Sequence, residues 1–167
     1  MSTRRHTRVV QVGSVRIGGD SPVSIQSMTK TDTTDVEATV RQIRALATAG
    51  CEIVRVAVPT IEAAKALPDI RREANNVPLV ADIHFHPQFA IAAIDAGFDK
   101  IRWNPGNIRN PERVREVVER AKARGIPMRI GVNVGSLDPT EEAAHPGDLV
   151  EAIVQSALRS VQLLEGC

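Results

Sequence analysis

Five short apolar runs of this 167-residue chain carry polar residues at or near their ends, of types that bind anions or hydroxyl groups. Three runs supply an arginine, whose planar guanidinium suits phosphate and carboxylate oxygens. Amide side chains can donate to a phosphate or bond a hydroxyl. The residues are Gln26, Arg55, Asp82, His84, Arg102, Asn104, Arg129 and Asn133. Guanidinium groups that share a site repel one another unless an anion lies between them, so this pattern predicts a phosphorylated small-molecule ligand.

The spacing of these residues predicts that several of them share a face. Side chains two or four apart on a strand point the same way, provided that the strand continues through both. Three pairs have this spacing: Asp82 with His84, Arg102 with Asn104, and Arg129 with Asn133. After Asn104, the turn residues Pro105 and Gly106 lead the chain away, which would leave Arg102 and Asn104 facing a pocket.

Apolar runs alternate with amphipathic helical patterns along the chain, and this alternation predicts the elements that position the polar residues. Two apolar runs around Gly13 and Ser14 predict a β-hairpin over residues 9–19. Five predicted strands follow, at residues 23–28, 52–58, 78–83, 99–103 and 127–134. Each strand precedes a predicted helix, at residues 35–50, 60–75, 87–97, 111–125 and 146–166. Four of the helices end at small turn residues, namely Gly50, Asn75 or Asn76, Gly97 and Gly125.

Regular alternation of this kind indicates parallel strands joined by helical crossovers. The predicted fold is α/β, of the (β/α)8 TIM-barrel type, truncated after about five βα units and preceded by the hairpin. A whole barrel needs roughly 250 residues, so we expect residues 1–167 to form a partial-barrel substrate-binding domain. The rival, an open doubly wound sheet, would require a glycine-rich phosphate loop, and the sequence contains neither GxGxxG nor a Walker pattern.

Composition narrows the classes of function. The formal net charge is only +1, which argues against a general nucleic-acid binder. No run approaches the roughly 18 uncharged apolar residues of a membrane span, so a cytoplasmic protein is expected. The two cysteines, Cys51 and Cys167, lie far apart and have no metal-ligand spacing, so no metal ligand is assigned in this chain.

His84 and His86 allow an alternative, because two histidines in an HxH pattern at a barrel strand can begin the metal site of a TIM-barrel hydrolase. Such a site needs further ligands on later strands, whereas the remaining histidines, His6 and His145, lie outside the predicted strands. We therefore expect Asp82 and His84 to bond the ligand or to orient an arginine, and His86 to help begin the next helix.

Four blocks of the sequence together resemble the amino-terminal barrel of the 4-hydroxy-3-methylbut-2-enyl diphosphate synthase family, which belongs to the non-mevalonate isoprenoid pathway. The blocks are SIQSMTKTDTTDVEATVRQIRALATAGCEIVRVAVP, PLVADIHFHPQFA, KIRWNPGNI and RIGVNVGSL. The resemblance implies a two-electron reductive ring opening with dehydration of 2-C-methyl-D-erythritol 2,4-cyclodiphosphate. It places the diphosphate on Arg55, Arg102 and Arg129, which match the family's arginines, with Asn104 and Asn133 beside them and with Asp82 and His84 lining the site.

The resemblance also implies components that this chain lacks. In the family, a 4Fe-4S cluster is held by three cysteines and a glutamate on a carboxyl-terminal domain, and a homodimer brings that domain to the barrel of the partner subunit. Flavodoxin or ferredoxin supplies the electrons. We therefore expect the fragment alone to be inactive and to contain no catalytic residue of its own. An inert phosphate-binding module remains a further alternative.

Overall fold

The computed structural model describes residues 5–84, 86–104, 110–137 and 139–167. The strands are Val10–Val12 (β1), Val15–Ile17 (β2), Gln26–Met28 (β3), Ile53–Ala57 (β4), Leu79–Ile83 (β5), Lys100–Trp103 (β6) and Met128–Ile130 (β7). The α-helices are Val36–Thr48 (α1), Ile61–Glu73 (α2), Pro87–Asp95 (α3), Pro111–Ala123 (α4), Pro139–Ala144 (α5) and Leu149–Glu165 (α6). A short 3₁₀ helix covers Val134–Ser136. None of the helices within these ranges is long and apolar enough to cross a lipid bilayer.

Strands β3 to β7 form one parallel sheet in chain order, and β1 and β2 form a separate antiparallel hairpin. A helix follows every strand of the parallel sheet, which is the predicted βα repeat. Among the described strands, β3 and β7 each have a single neighbour, so the sheet is open rather than a closed barrel. The predicted truncated (β/α)8 arrangement with an amino-terminal hairpin is confirmed.

Local signals in the sequence explain where the helices begin and end. The side chains of Asp35, Thr60, Asn110 and Asp148 each accept a hydrogen bond from a first-turn backbone N–H, which caps α1, α2, α4 and α6. The predicted turn residues after four helices all adopt positive φ angles: Gly50 (93°), Asn75 (56°), Gly97 (84°) and Gly125 (64°). Left-handed residues of this kind end a helix and return the chain toward the next strand.

The parallel sheet has two different faces. One face packs against the helices and holds the main core, including the fully buried Val54, Leu79, Ile101 and Trp103. The opposite face, here called the inner face, would line the interior of a closed barrel. At its amino-terminal end the hairpin covers it, because Val12 packs against Ile53 and Val80. The polar residues lie on the carboxyl-terminal half of the inner face, beyond the part that the hairpin covers.

All five strands of the parallel sheet are shorter than the sequence predicts, three of them by one or two residues and two by three or more. The first starts at Gln26 rather than at residue 23, since Val23 and Ile25 are exposed and the Ile25 N–H donates to the Glu52 carboxylate over 2.8 Å. The last ends at Ile130 rather than at residue 134. Its neighbour β6 ends at Trp103, the residue that pairs with Ile130, and among the described residues the ladder continues only through the Gly131 N–H, which donates to the Trp103 carbonyl oxygen.

The region between β7 and the last helix differs most from the predicted pattern. The 3₁₀ helix and α5 occupy residues where no helix is predicted. The last helix begins at Leu149 rather than at residue 146, because Gly147 has a φ of 82° and Asp148 provides the N-cap. An irregular segment therefore separates β7 from its helix at the edge of the sheet where the site lies.

Candidate anion-binding site

The register of the parallel sheet brings the predicted basic residues to one face. Residues paired across parallel strands point to the same side, and so do residues two apart on one strand. Asp82 pairs with Arg102, and Arg102 pairs with Arg129. Arg55 pairs with Val80, which lies two residues before Asp82. All four side chains therefore belong to the inner face, as the strand-end pattern predicts.

Asp82 lies between two of the arginines. Its Oδ1 is 3.1 Å from Nη1 of Arg102 and its Oδ2 is 3.3 Å from Nε of Arg55. The Asp82 side chain is only 3% exposed, whereas those of Arg102 and Arg55 are 11% and 26% exposed. One buried carboxylate thus fixes two guanidinium groups beside each other, and orienting an arginine is one of the two roles expected for Asp82.

The charge on the sheet is strongly unbalanced. Strands β3 to β7 contain four basic residues, on β4, β6 and β7, and a single acidic residue, Asp82. A net positive charge on a partly desolvated surface favours an anion, and guanidinium groups can bind a diphosphate through paired hydrogen bonds. The inner face therefore has the electrostatics of a site for a polyanion.

Lys100 is a basic residue of this face that the sequence analysis did not single out. It lies on β6 two residues before Arg102, so it shares that residue's face one layer deeper. Burial lowers the pKa of its ammonium group, and the positive charge of Arg129 lowers the pKa further. The two-residue spacing from Arg102 was the sequence signal that could have identified it.

Met28 is a second residue of the site that was not predicted. It pairs with Arg55 in the register, and its Sδ accepts from Nε and Nη2 of Arg55 at 3.2 and 3.1 Å. A thioether is a weak acceptor, so Met28 positions the guanidinium without neutralising it. The spacing of two residues from Gln26 is the pattern that places Met28 on the inner face.

Gln26 does not lie where the sequence predicts. The pattern places it at the carboxyl end of the first parallel strand, but Gln26 is exposed and is the first residue of β3. Met28 holds the carboxyl-terminal position instead. The predicted and observed strands both end at Met28, so Gln26 lies two residues before that end and pairs with Ile53, the first residue of β4.

The residues that follow the strands lie in different surroundings. His84 follows β5, and its Nε2 lies 3.8 Å from Oδ1 of Asp82. Asn104 follows β6 directly and is buried. Asn133 is exposed and precedes the 3₁₀ helix, three residues beyond the end of β7. Because β7 stops at Ile130, the predicted shared face of Arg129 and Asn133 lacks the continuous strand on which it depends.

The predicted turn after Asn104 and the predicted role of His86 have different outcomes. Pro105 and Gly106, the predicted turn beyond Asn104, lie outside the described residues. His86 is the N-cap residue of α3, as expected, and its ring packs edge-on against Phe89 at a centroid distance of 5.0 Å. Within the described ranges, no three His, Cys, Asp or Glu residues come together in a group that could hold a metal ion.

The two thiols do not fit an iron–sulfur cluster. Cys51 is buried, and its Sγ lies 3.0 Å from the carbonyl oxygen of Ile53. Cys167 bonds the Leu163 carbonyl oxygen over 3.2 Å at the end of α6. A 4Fe-4S cluster needs about four ligands gathered around it, and these thiols sit singly on separate elements.

Comparison of the sequence with known proteins identifies its family. A sequence model described as the GcpE TIM-barrel domain matches residues 7–167. The chain is 55% identical over 165 residues to a 4-hydroxy-3-methylbut-2-en-1-yl diphosphate synthase (flavodoxin) of Maridesulfovibrio salexigens, covering 99% of the chain and 46% of that protein. It is 53% identical over 162 residues to the protein of the same name in Caldanaerobacter subterraneus subsp. tengcongensis, covering 97% of the chain and 45% of that protein. The chain thus spans less than half the length of these curated relatives.

Solved structures with low sequence identity share the fold. Dihydropteroate synthase from Stenotrophomonas maltophilia superposes with a TM-score of 0.65 at 16% identity, covering 95% of this chain and 60% of that one. The corresponding enzyme of Thermus thermophilus gives a TM-score of 0.62 at 19% identity, with 94% and 61% covered. At this identity the likeness concerns the fold alone. Since the family model matches all but the first six residues, the chain belongs to the GcpE TIM-barrel domain family.

Proposed function

We propose that this chain is the substrate-binding barrel portion of a 4-hydroxy-3-methylbut-2-enyl diphosphate synthase. The whole enzyme would convert 2-C-methyl-D-erythritol 2,4-cyclodiphosphate to the allylic diphosphate by two-electron reductive ring opening and dehydration. One observation supports this most strongly: Arg55 and Arg102 are fixed side by side on Asp82, on a face with excess positive charge. The names of the relatives also specify a diphosphate, as the product that they form.

The proposed task of the inner face is to bind and orient the cyclic diphosphate. Arg55, Arg102 and Arg129 supply positive charge and directed N–H donors, and Lys100 adds charge one layer deeper. Asp82 keeps two of the guanidinium groups in place before the ligand arrives, which lowers the conformational entropy lost on binding. We assign Asn104, Asn133 and His84 to further contacts with the ligand.

The redox chemistry belongs to another part of the protein. In the family a 4Fe-4S cluster supplies the electrons to the substrate, and no group of residues described in this chain fits such a cluster. We place its ligands in the part of the relatives that the chain does not match, and the chain alone would then be inactive. Flavodoxin, which the relatives' names include, is the proposed reductant, with ferredoxin as the alternative. A homodimer in the cytoplasm is the proposed state of the whole enzyme.

The proposal can be tested in a completed protein, in which this chain replaces the matching segment of the Maridesulfovibrio salexigens relative. Under anaerobic conditions with reduced flavodoxin, we expect the completed protein to consume the cyclodiphosphate and form the allylic diphosphate. Arg102→Ala and Arg129→Ala should each raise KM or abolish turnover. An exchange that keeps the fold and cluster of the relative but abolishes turnover would contradict the proposal.

The metal-dependent hydrolase can be distinguished from the synthase with the isolated chain. It requires a stoichiometric metal in the isolated chain that is lost when His84 and His86 are both replaced by alanine. Such a metal, together with hydrolysis in the absence of reductant, would favour the hydrolase over the synthase.

A further inference from the structure

Gly131 lies against Arg102 of the site, and the space beside it is open only because glycine has no side chain. A Cβ built on Gly131 would overlap the guanidinium of Arg102, with the Arg102 Cζ only 2.6 Å away. No real Cβ approaches another heavy atom this closely, so a side chain at position 131 and the present position of Arg102 exclude each other. Gly131 is buried, immediately after β7.

Two hydrogen bonds hold the backbone of Gly131 in place. Its N–H donates to the carbonyl oxygen of Trp103 over 2.9 Å, which extends the β6–β7 ladder by one bond. Its own carbonyl oxygen accepts from Nη2 of Arg102 over 3.3 Å. Moving the backbone away from the guanidinium would strain the bond to Trp103, so the flexible side chain of Arg102 would have to yield instead.

A side chain at position 131 would also disturb the contact between Arg102 and Asp82. Arg102 donates through Nη1 to Asp82 and through Nη2 to Gly131, and these two bonds hold the guanidinium across the carboxyl end of β7. A methyl group at position 131 would push the guanidinium out of that position and weaken its bond to Asp82. Gly131 does not adopt a positive φ, so freedom of the backbone does not account for a glycine here.

We infer that Gly131 is a positioning residue of the anion site: its missing side chain makes the space in which Arg102 lies bonded to both Asp82 and the Gly131 carbonyl. This inference rests on the proposed function, since it assigns Gly131 a role in diphosphate binding through Arg102. The affinity of the site for its anion then depends on a residue that does not touch the ligand through a side chain.

The test is a double-mutant cycle read by isothermal titration of the 167-residue chain with inorganic pyrophosphate. We expect Gly131→Ala to weaken pyrophosphate binding about tenfold, because a charged hydrogen bond of well-fixed geometry contributes on that order. In an Arg102→Lys background, where no guanidinium crosses position 131, Gly131→Ala should change affinity less than about twofold. Gly135→Ala is the matched control, since its Cβ would meet only Oδ1 of Asn133 at an ordinary 3.7 Å.

Each outcome decides one question. Equal affinity of wild type and Gly131→Ala overturns the inference but leaves the anion site intact. The same loss in the wild-type and Arg102→Lys backgrounds also overturns it, since the effect would then not pass through the guanidinium. If Gly131→Ala reduces the yield of folded chain, recovery of folding in the Arg102→Lys background supports the inference, and failure to recover contradicts it. Absence of pyrophosphate binding by wild type contradicts the proposed site itself.

Discussion

Asp82 is the carboxylate on which two arginines of the inner face depend, and its replacement by asparagine tests that dependence. Asparagine keeps the size of the side chain but removes the charge that lies 3.1 Å from Arg102 and 3.3 Å from Arg55. Removing one partner of a buried ion pair costs about 3–5 kcal/mol. Since water reaches part of both arginines, we expect Asp82→Asn to lower the free energy of unfolding by about 2–3 kcal/mol.

The assay is urea unfolding followed by far-UV circular dichroism, with and without pyrophosphate. A bound anion supplies the negative charge that asparagine lacks, so pyrophosphate should stabilise Asp82→Asn more than it stabilises wild type. Glu37→Gln is a suitable control, because its ion pair with Arg41 is largely exposed and should leave stability unchanged. The reasoning is refuted if Asp82→Asn unfolds within about 0.5 kcal/mol of wild type, the scatter expected of an ordinary surface substitution.

Three further predictions concern charges on the sheet and helices. Arg129→Ala in the chain should weaken pyrophosphate binding by about tenfold with little change in stability, since Arg129 is exposed and binds in competition with water; titration calorimetry measures this. Lys100→Met should stabilise the chain below the lowered pKa of Lys100, because burial penalises the charged lysine of wild type there. The difference in stability between the two proteins should shrink as the pH rises from that pKa toward 10.5, and urea midpoints measured against pH test this. The bond from Arg120 lowers the pKa of Asp95. Above pH 3.8 this gives wild type a small increment of stability, which is lost as the pH falls through the lowered pKa and which Asp95→Asn lacks at every pH. Acid titration of both proteins, followed by circular dichroism, measures the difference in stability.

The fold was predictable because each signal in the sequence had a local cause. Apolar periodicity set the order of strands and helices, and Gly50, Gly97 and Gly125 adopt the positive φ angles that their positions predict. The bounds of β3 and β7 were less predictable, because they depend on pairing with neighbours and not on apolar character. Ile25 is as apolar as any strand residue, yet its N–H bonds the Glu52 side chain.

The site was predictable as a set of residue types but not as a geometry. The strand-end positions of Asp82 and Arg102 predicted that both lie at one edge of the sheet, and their 3.1 Å contact follows from a register that only the sheet specifies. Gly131 carried no signal in the sequence, because its effect is an absence of atoms beside Arg102. Met28 was hidden for a related reason: its weak acceptor becomes relevant only once Arg55 lies against it.

The central claim is that the inner face binds a cyclic diphosphate through its arginines. Its most direct test is calorimetric titration of 2-C-methyl-D-erythritol 2,4-cyclodiphosphate into the wild-type chain and into Arg102→Ala. We predict one ligand bound per wild-type chain and at least about a tenfold weaker interaction in Arg102→Ala, as expected for the loss of a charged hydrogen-bond donor. No binding to the folded wild-type chain, or equal binding to both, would contradict the account.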